Sequence, residues 1–166
     1  EWALAMEAVA PDIQLVGPES NQFIPKPDNP YEADLERWLV EFLQANGDMV
    51  DVVSFHRYPF PRGDINQLPT AEELRRASEE WDETIPYVRA LIREHTGRDI
   101  PIGVTEANSS WAGSSGGDTT LDSHLNAIWW GDSLGRMIRE GVFMAQQFAI
   151  IGHFGLMENY DTKPIY

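Results

Sequence analysis

The 166-residue sequence contains no cysteine, which removes disulfides, thiolate nucleophiles and zinc–thiolate sites from the chemistry open to it. Cations are scarce too: 12 Lys and Arg stand against 27 Asp and Glu, a formal charge of -15. A field of that sign repels phosphate backbones and anionic lipid, so no nucleic-acid or membrane partner is expected, whereas a neutral sugar is compatible with it. No apolar run is long enough to cross a bilayer. The opening residues Glu1-Trp2-Ala3-Leu4-Ala5-Met6-Glu7-Ala8-Val9 are acidic and amphipathic, without the basic start of a signal peptide. Localisation, secreted or cytoplasmic, stays open. No Gly-rich phosphate loop follows an apolar run, which argues against a flavodoxin-like domain, and nothing calls for a cofactor or a metal.

What is present is enough for one core, with 42% hydrophobic and 11% aromatic residues and no Pro/Ser linker to divide the chain. Short, nearly continuous apolar runs at Ile13–Gly17, Val50–His56, Ile100–Glu106 and Phe143–Phe148 read as parallel strands covered on both faces. Between them lie amphipathic stretches. Tyr31–Ala45 carries Leu35, Trp38, Leu39, Phe42 and Leu43, with Gly47 as its stop. Thr70–Glu94 opens on a capping-box pattern, Thr70 to Glu73. Thr119–Glu140 places Leu121, Leu125, Ile128, Trp129, Leu134 and Ile138 on one stripe, and Trp129 and Trp130 read as core. The pattern is serial βα, α/β in class, with residues 1–166 as a single unit. Its spare length follows the strands, at 18–30, 59–69 and 109–118, where a barrel enzyme builds its site.

Candidate chemistry sits at two strand tips. The run Pro101-Ile102-Gly103-Val104-Thr105-Glu106-Ala107-Asn108 delivers a carboxylate to the end of a strand. One strand earlier, Phe55-His56-Arg57-Tyr58 puts His56 and Tyr58 on one face and Arg57, read as structural, on the other. His-x-Tyr followed by a tip Glu resembles the sixth and seventh strands of the retaining clan A glycoside hydrolases, the (β/α)8 enzymes that include cellulases, mannanases, β-xylosidases and arabinofuranosidases. Pro11-Asp12-Ile13-Gln14-Leu15-Val16-Gly17-Pro18-Glu19 resembles their fifth strand. The stretch from Phe154 to Tyr166 resembles the segment after the eighth, with Glu158 and Asp161 in a turn.

The resemblance implies the C-terminal half, strands five to eight, of a TIM barrel that hydrolyses O-glycosidic bonds in saccharides with retention. It makes Glu106 the nucleophile, Tyr58 the donor that holds Glu106 ionised and oriented, and His56 a ligand of a sugar hydroxyl or an orienter of the acid partner. Trp111 is either a sugar-stacking platform or a loop residue closing the core. Asn108 and Ser109 are either hydroxyl ligands or ordinary loop residues, and Glu19 is either a sugar-subsite carboxylate or a turn carboxylate. Of Gln146 and Gln147 one must face the inside, and alternation does not say which.

Retention needs a second carboxylate about 5 to 5.5 Å from the nucleophile, supplied in this family by an Asn-Glu pair at the fourth strand, and that motif is missing. A whole barrel takes about 250 residues. The expectation is therefore a fragment of a longer catalytic domain, inactive alone. Its apolar inner face and two open strand edges would make it self-associate or pair with an N-terminal half-barrel. The alternative is a non-catalytic half-barrel that self-associates or binds carbohydrate.

Overall fold

In the computed structural model, residues 1–26, 30–62, 64–152 and 155 are described. Most of the 154–166 segment, with Glu158 and Asp161, therefore lies outside the described residues. A first helix, α1 (Trp2–Val9), precedes strand β1 (Val16–Ser20), helix α2 (Pro30–Asn46) and strand β2 (Val52–Arg57). Helix α3 (Ala71–Ala77), a 3₁₀ turn at Ser78–Glu80 and helix α4 (Trp81–Thr96) lead to β3 (Ile102–Ala107). Helix α5 (His124–Arg139) and β4 (Met144–Gln147) complete the order. The four strands form one parallel sheet in the order β1-β2-β3-β4, as serial βα units with short crossovers dictate.

Several element boundaries differ from the sequence reading, and three of the differences have identifiable reasons. The first strand starts at Val16 rather than Ile13, because its partner begins at Val52, opposite Val16, and the Leu15 N–H is taken by the Asp51 carboxylate at 2.8 Å. Pro18 is tolerated there because β1 is a sheet edge. The third helical stretch begins at His124 rather than Thr119, because the Ser123 hydroxyl accepts the Asn126 N–H at 3.1 Å and caps the helix. The stretch from Thr70 opens on the expected capping box: Thr70 and Glu73 exchange side-chain-to-backbone bonds. It then breaks at Ser78, whose hydroxyl bonds back to the Arg75 carbonyl and across to Asp132.

One face of the sheet packs on α2, α4 and α5. Val53 and Phe55 of β2 and Val104 of β3 meet Leu39, Leu43, Trp81, Ile85, Val88, Ile92 and Met137 in one buried cluster. Each such side chain contributes about 1.5–3 kcal/mol of transfer free energy, which is what holds the crossovers against the sheet. Trp129 is buried in a smaller cluster with Phe60, Leu74 and Ala77, with Trp130 packed against it. The helical stripes are broader than the surface that covers them: Trp38, Ile128 and Ile138 are exposed.

The opposite face is not the apolar surface expected from the pattern. Val52, Ser54 and His56 alternate along it, with Thr105 beside Ser54 and His56. Gly103 is there because a Cβ would come within 3.0 Å of Met144 and 3.2 Å of Val52. Met144 shares this face with Gln146, whose amide points at the Met144 sulfur; Gln146 is exposed, while Gln147 turns away and buries its side-chain oxygen. Apolar surface instead flanks the sheet. On α1, Trp2 and Val9 are 84% and 87% exposed, and beyond β4 Phe148, Ile150 and Ile151 are exposed as well.

Candidate active site

Sheet register brings the two strand tips into contact. His56 pairs with Glu106 across β2 and β3, beside an irregularity after Phe55 that shifts the register by one residue. Such a bulge re-aims side chains. As a result Glu106, His56 and the residue just beyond β2, Tyr58, all converge. The Tyr58 hydroxyl donates to Oε2 of Glu106 at 2.6 Å, and Nδ1 of His56 lies 3.6 Å from the same oxygen. Both contacts fall on Oε2. The other oxygen, Oε1, has no hydrogen-bond partner among the described residues, so one end of the carboxylate is tethered and the other is open to a reacting carbon.

Glu106 and Tyr58 line a cavity of about 1040 Å³ that also takes in Gln22, Lys26, Arg62 and Trp111. Trp111 is 45% exposed there, so it does not close the core. It is pinned by backbone: Phe60 N–H bonds the Ser109 carbonyl at 2.9 Å and Trp111 N–H bonds the Phe60 carbonyl at 3.2 Å, joining the loops after β2 and β3. Arg57 faces the helices and makes a bidentate pair with Glu80 at 2.9 and 2.6 Å, a structural clamp of the β2 tip.

Asn108 does not reach the cavity. It is buried, with its amide donating to the Phe148 carbonyl at 2.8 Å and its oxygen accepting from Ser109 N–H, so its hydrogen-bonding capacity goes into the loop scaffold. Ser109 is likewise buried. Glu19 is also not on the cavity wall. Its carboxylate takes Nε2 of His56 at 2.8 Å, the Ser54 hydroxyl at 3.0 Å and the Thr105 hydroxyl. These three bonds tie it to β2 and β3. One nitrogen of His56 is thus bonded to Glu19, and the other lies 3.6 Å from Glu106.

Burial would raise the Glu19 carboxyl, but the bonds from Thr105, His56 and Ser54 outweigh it and hold the group below its ordinary value. Tyr58 shifts the other way: burial first, then the hydrogen bond to Glu106 and that residue's negative charge, push its hydroxyl far above the ordinary value of 10. It therefore remains a donor. The linkage sign follows. The folded protein keeps the Tyr58 proton where the unfolded chain releases it, so this contribution is complete below pH about 10 and is lost as pH rises beyond that. Urea midpoints at pH about 9 and about 11 should fall less steeply in Tyr58→Phe than in the parent chain. An equal slope would show that Tyr58 does not carry the shift.

Gln22 was not legible as a site residue. It sits just past β1 with φ 53° and its side-chain oxygen accepts the Tyr58 N–H at 3.0 Å. Ser54 and Thr105 also escaped notice, since a hydroxyl inside an apolar strand carries no pattern of its own. Among the described residues no group of three His, Asp or Glu side chains is arranged to hold a metal ion, and no helix is long and apolar enough to cross a membrane.

No protein-family model and no curated protein matches the chain by sequence. Solved structures do match. A family 51 α-L-arabinofuranosidase from Bifidobacterium longum superimposes with a TM-score of 0.65 at 17% identity, over 93% of this chain and 33% of its own. A monomeric β-xylosidase from Caulobacter crescentus CB15 gives 0.64 at 18% identity, over 93% of this chain and 28% of its own. An α-L-arabinofuranosidase from Thermotoga maritima, in complex with arabinose, gives 0.56 at 18%, over 93% and 29%. The chain shares its fold with these glycosidases. It spans about a third or less of the length of each, so the match is to a part of a glycosidase chain.

Proposed function

We propose that this chain is the C-terminal half, strands five to eight, of a (β/α)8 barrel that hydrolyses O-glycosidic bonds with retention, Glu106 being the nucleophile. The observation that carries the reading is the 2.6 Å bond from Tyr58 to one oxygen of Glu106 on the wall of an open cavity, with the other oxygen unengaged. In the first step Oε1 bonds to the anomeric carbon as the bond to the leaving oxygen breaks, and the positive charge that builds on the ring is met by the carboxylate. Tyr58 steadies that carboxylate through its other oxygen. Trp111 offers a flat apolar face to the sugar ring. Water then attacks the glycosyl ester and restores Glu106.

Both steps need a proton donor and acceptor opposite Glu106, about 5 to 5.5 Å away. We assign it to a carboxylate of the N-terminal half, because Glu19 is spent on three donors and stands behind His56. The test is an aryl-glycoside assay of this chain alone and of the complete barrel, beside a saccharide titration followed by tryptophan fluorescence. Binding alone by the short chain and turnover by the complete barrel support the reading. Turnover by neither would replace it with the carbohydrate-binding module.

The open strand edges and the exposed apolar residues on α1 and beyond β4 favour association of such a half, with an N-terminal half-barrel or with a second copy. A second copy related by a two-fold axis along the strands would set β4 beside the partner's β1 in the same parallel sense and close a barrel. Sedimentation of the isolated chain at micromolar concentration is expected to show a dimer or larger species. A monodisperse monomer would overturn this part.

A further inference from the structure

The end of β1 and the turn after it hold two non-glycine residues in the left-handed region, Glu19 at the register shift of the strand with φ 62° and Gln22 with φ 53°. Backbone of that kind is strained and persists only where surrounding bonds over-determine it. Here three of the surrounding bonds go to the tip of β2. Glu19 takes the His56 ring at Nε2, Gln22 takes the Tyr58 N–H, and the N–H of Phe23 bonds the His56 carbonyl at 3.2 Å. Phe23 is fully buried and its ring packs on Phe55 at 5.6 Å, which anchors the turn to the core.

We propose that Glu19 and Gln22 are positioning residues: the left-handed turn grips the His56 side chain and the Tyr58 backbone so that both groups meet a single oxygen of Glu106. Ionised Glu19 has only acceptor oxygens, so every partner must bring a proton. Ser54 accepts the Glu19 N–H at 3.1 Å and turns its own proton to Oε1, and Thr105 donates to Oε2. Nε2 of His56 must then carry hydrogen. With that bond made the ring cannot flip, and Nδ1 is left 3.6 Å from Glu106 Oε2. Gln22 does for Tyr58 by backbone what Glu19 does for His56 by side chain. The grip also accounts for the carboxylate of Glu19, which lies off the cavity wall.

The catalytic consequence rests on the glycosidase reading, whereas the geometry does not, and the two are tested apart. In the isolated chain, long-range ¹H–¹⁵N spectra should show the His56 Nε2 hydrogen in slow exchange with water. Glu19→Asn, which tolerates the left-handed backbone but is one methylene too short, should lose it, and Glu19→Gln should retain it in part. An unchanged Nε2 signal in folded Glu19→Asn would overturn the proposal. Gln22→Gly relaxes the backbone and removes only the side-chain acceptor, so it guards against a Glu19 variant that fails to fold. In the complete enzyme it should lower kcat roughly tenfold at constant KM, as loosening a catalytic group's support does. Unchanged kcat, or a rise in KM alone, would overturn the Gln22 assignment. If Glu106 itself proves dispensable for turnover, the glycosidase reading fails while the spectra still decide the grip.

Discussion

Glu106→Ala in the complete barrel is expected to reduce turnover by a factor on the order of 10⁴ or more, with substrate affinity nearly unchanged. Nucleophile removal takes away a group that acts only as the reaction proceeds, so the loss belongs in kcat and not in binding. Two features of the site make the effect large. One oxygen of Glu106 is held by Tyr58, and the residue lines the cavity where a sugar would lie. The alanine cavity also admits a small anion. Azide should restore part of the turnover and bond to the anomeric carbon from the vacated side, giving a glycosyl azide of inverted configuration. A carboxylate that served only to support the fold would show neither behaviour. Activity within a factor of about ten of the parent would remove Glu106 from the nucleophile position.

Trp81→Ala should cost about 3–5 kcal/mol, the largest stability effect of any single side chain here. Trp81 is fully buried at the start of α4, with its ring 6.4 Å from that of Phe55, so it joins the crossover between β2 and β3 to the sheet. Its loss leaves a cavity between rigid elements that cannot close over it. A domain of ordinary stability holds only about 5–15 kcal/mol, so the urea midpoint should fall by a large fraction of its value. Trp81→Phe separates the causes. The indole N–H has no partner among the described residues, so phenylalanine removes an unpaired donor along with part of the volume and should cost less than half as much. Both variants are compared at several protein concentrations, since association would add to apparent stability. A loss below about 1 kcal/mol in Trp81→Ala would place the indole outside the load of the core.

How much of this could be read from the residues alone depended on the range of the interaction. The strands around Phe55 and Val104 are short, continuous apolar runs, and a buried parallel strand has no other appearance, so their place and type were legible. So was the helix start at Thr70, because a capping box is completed within four residues. Ile13 was assigned to a strand that begins at Val16, because an edge strand's start is set by where its neighbour offers partners. Asn108 could be a hydroxyl ligand or an ordinary loop residue, because loop amides and ligand amides are the same residue type. Only the fold reveals that its donors are spent on Phe148 and its oxygen on Ser109.

Charge, the absence of cysteine and the order of His56, Tyr58 and Glu106 along the chain were enough to direct attention to two strand tips and to a neutral substrate. Those are properties of composition and of alternation within single strands. That the two tips meet on one oxygen, that Glu19 bonds His56 from a third strand and that Gln146 shares the face of Met144 while Gln147 turns away were decided by tertiary structure. The reason is register: a one-residue slip at the bulge after Phe55 redirects the side chains beyond it, and register is fixed by the packing of whole strands against helices.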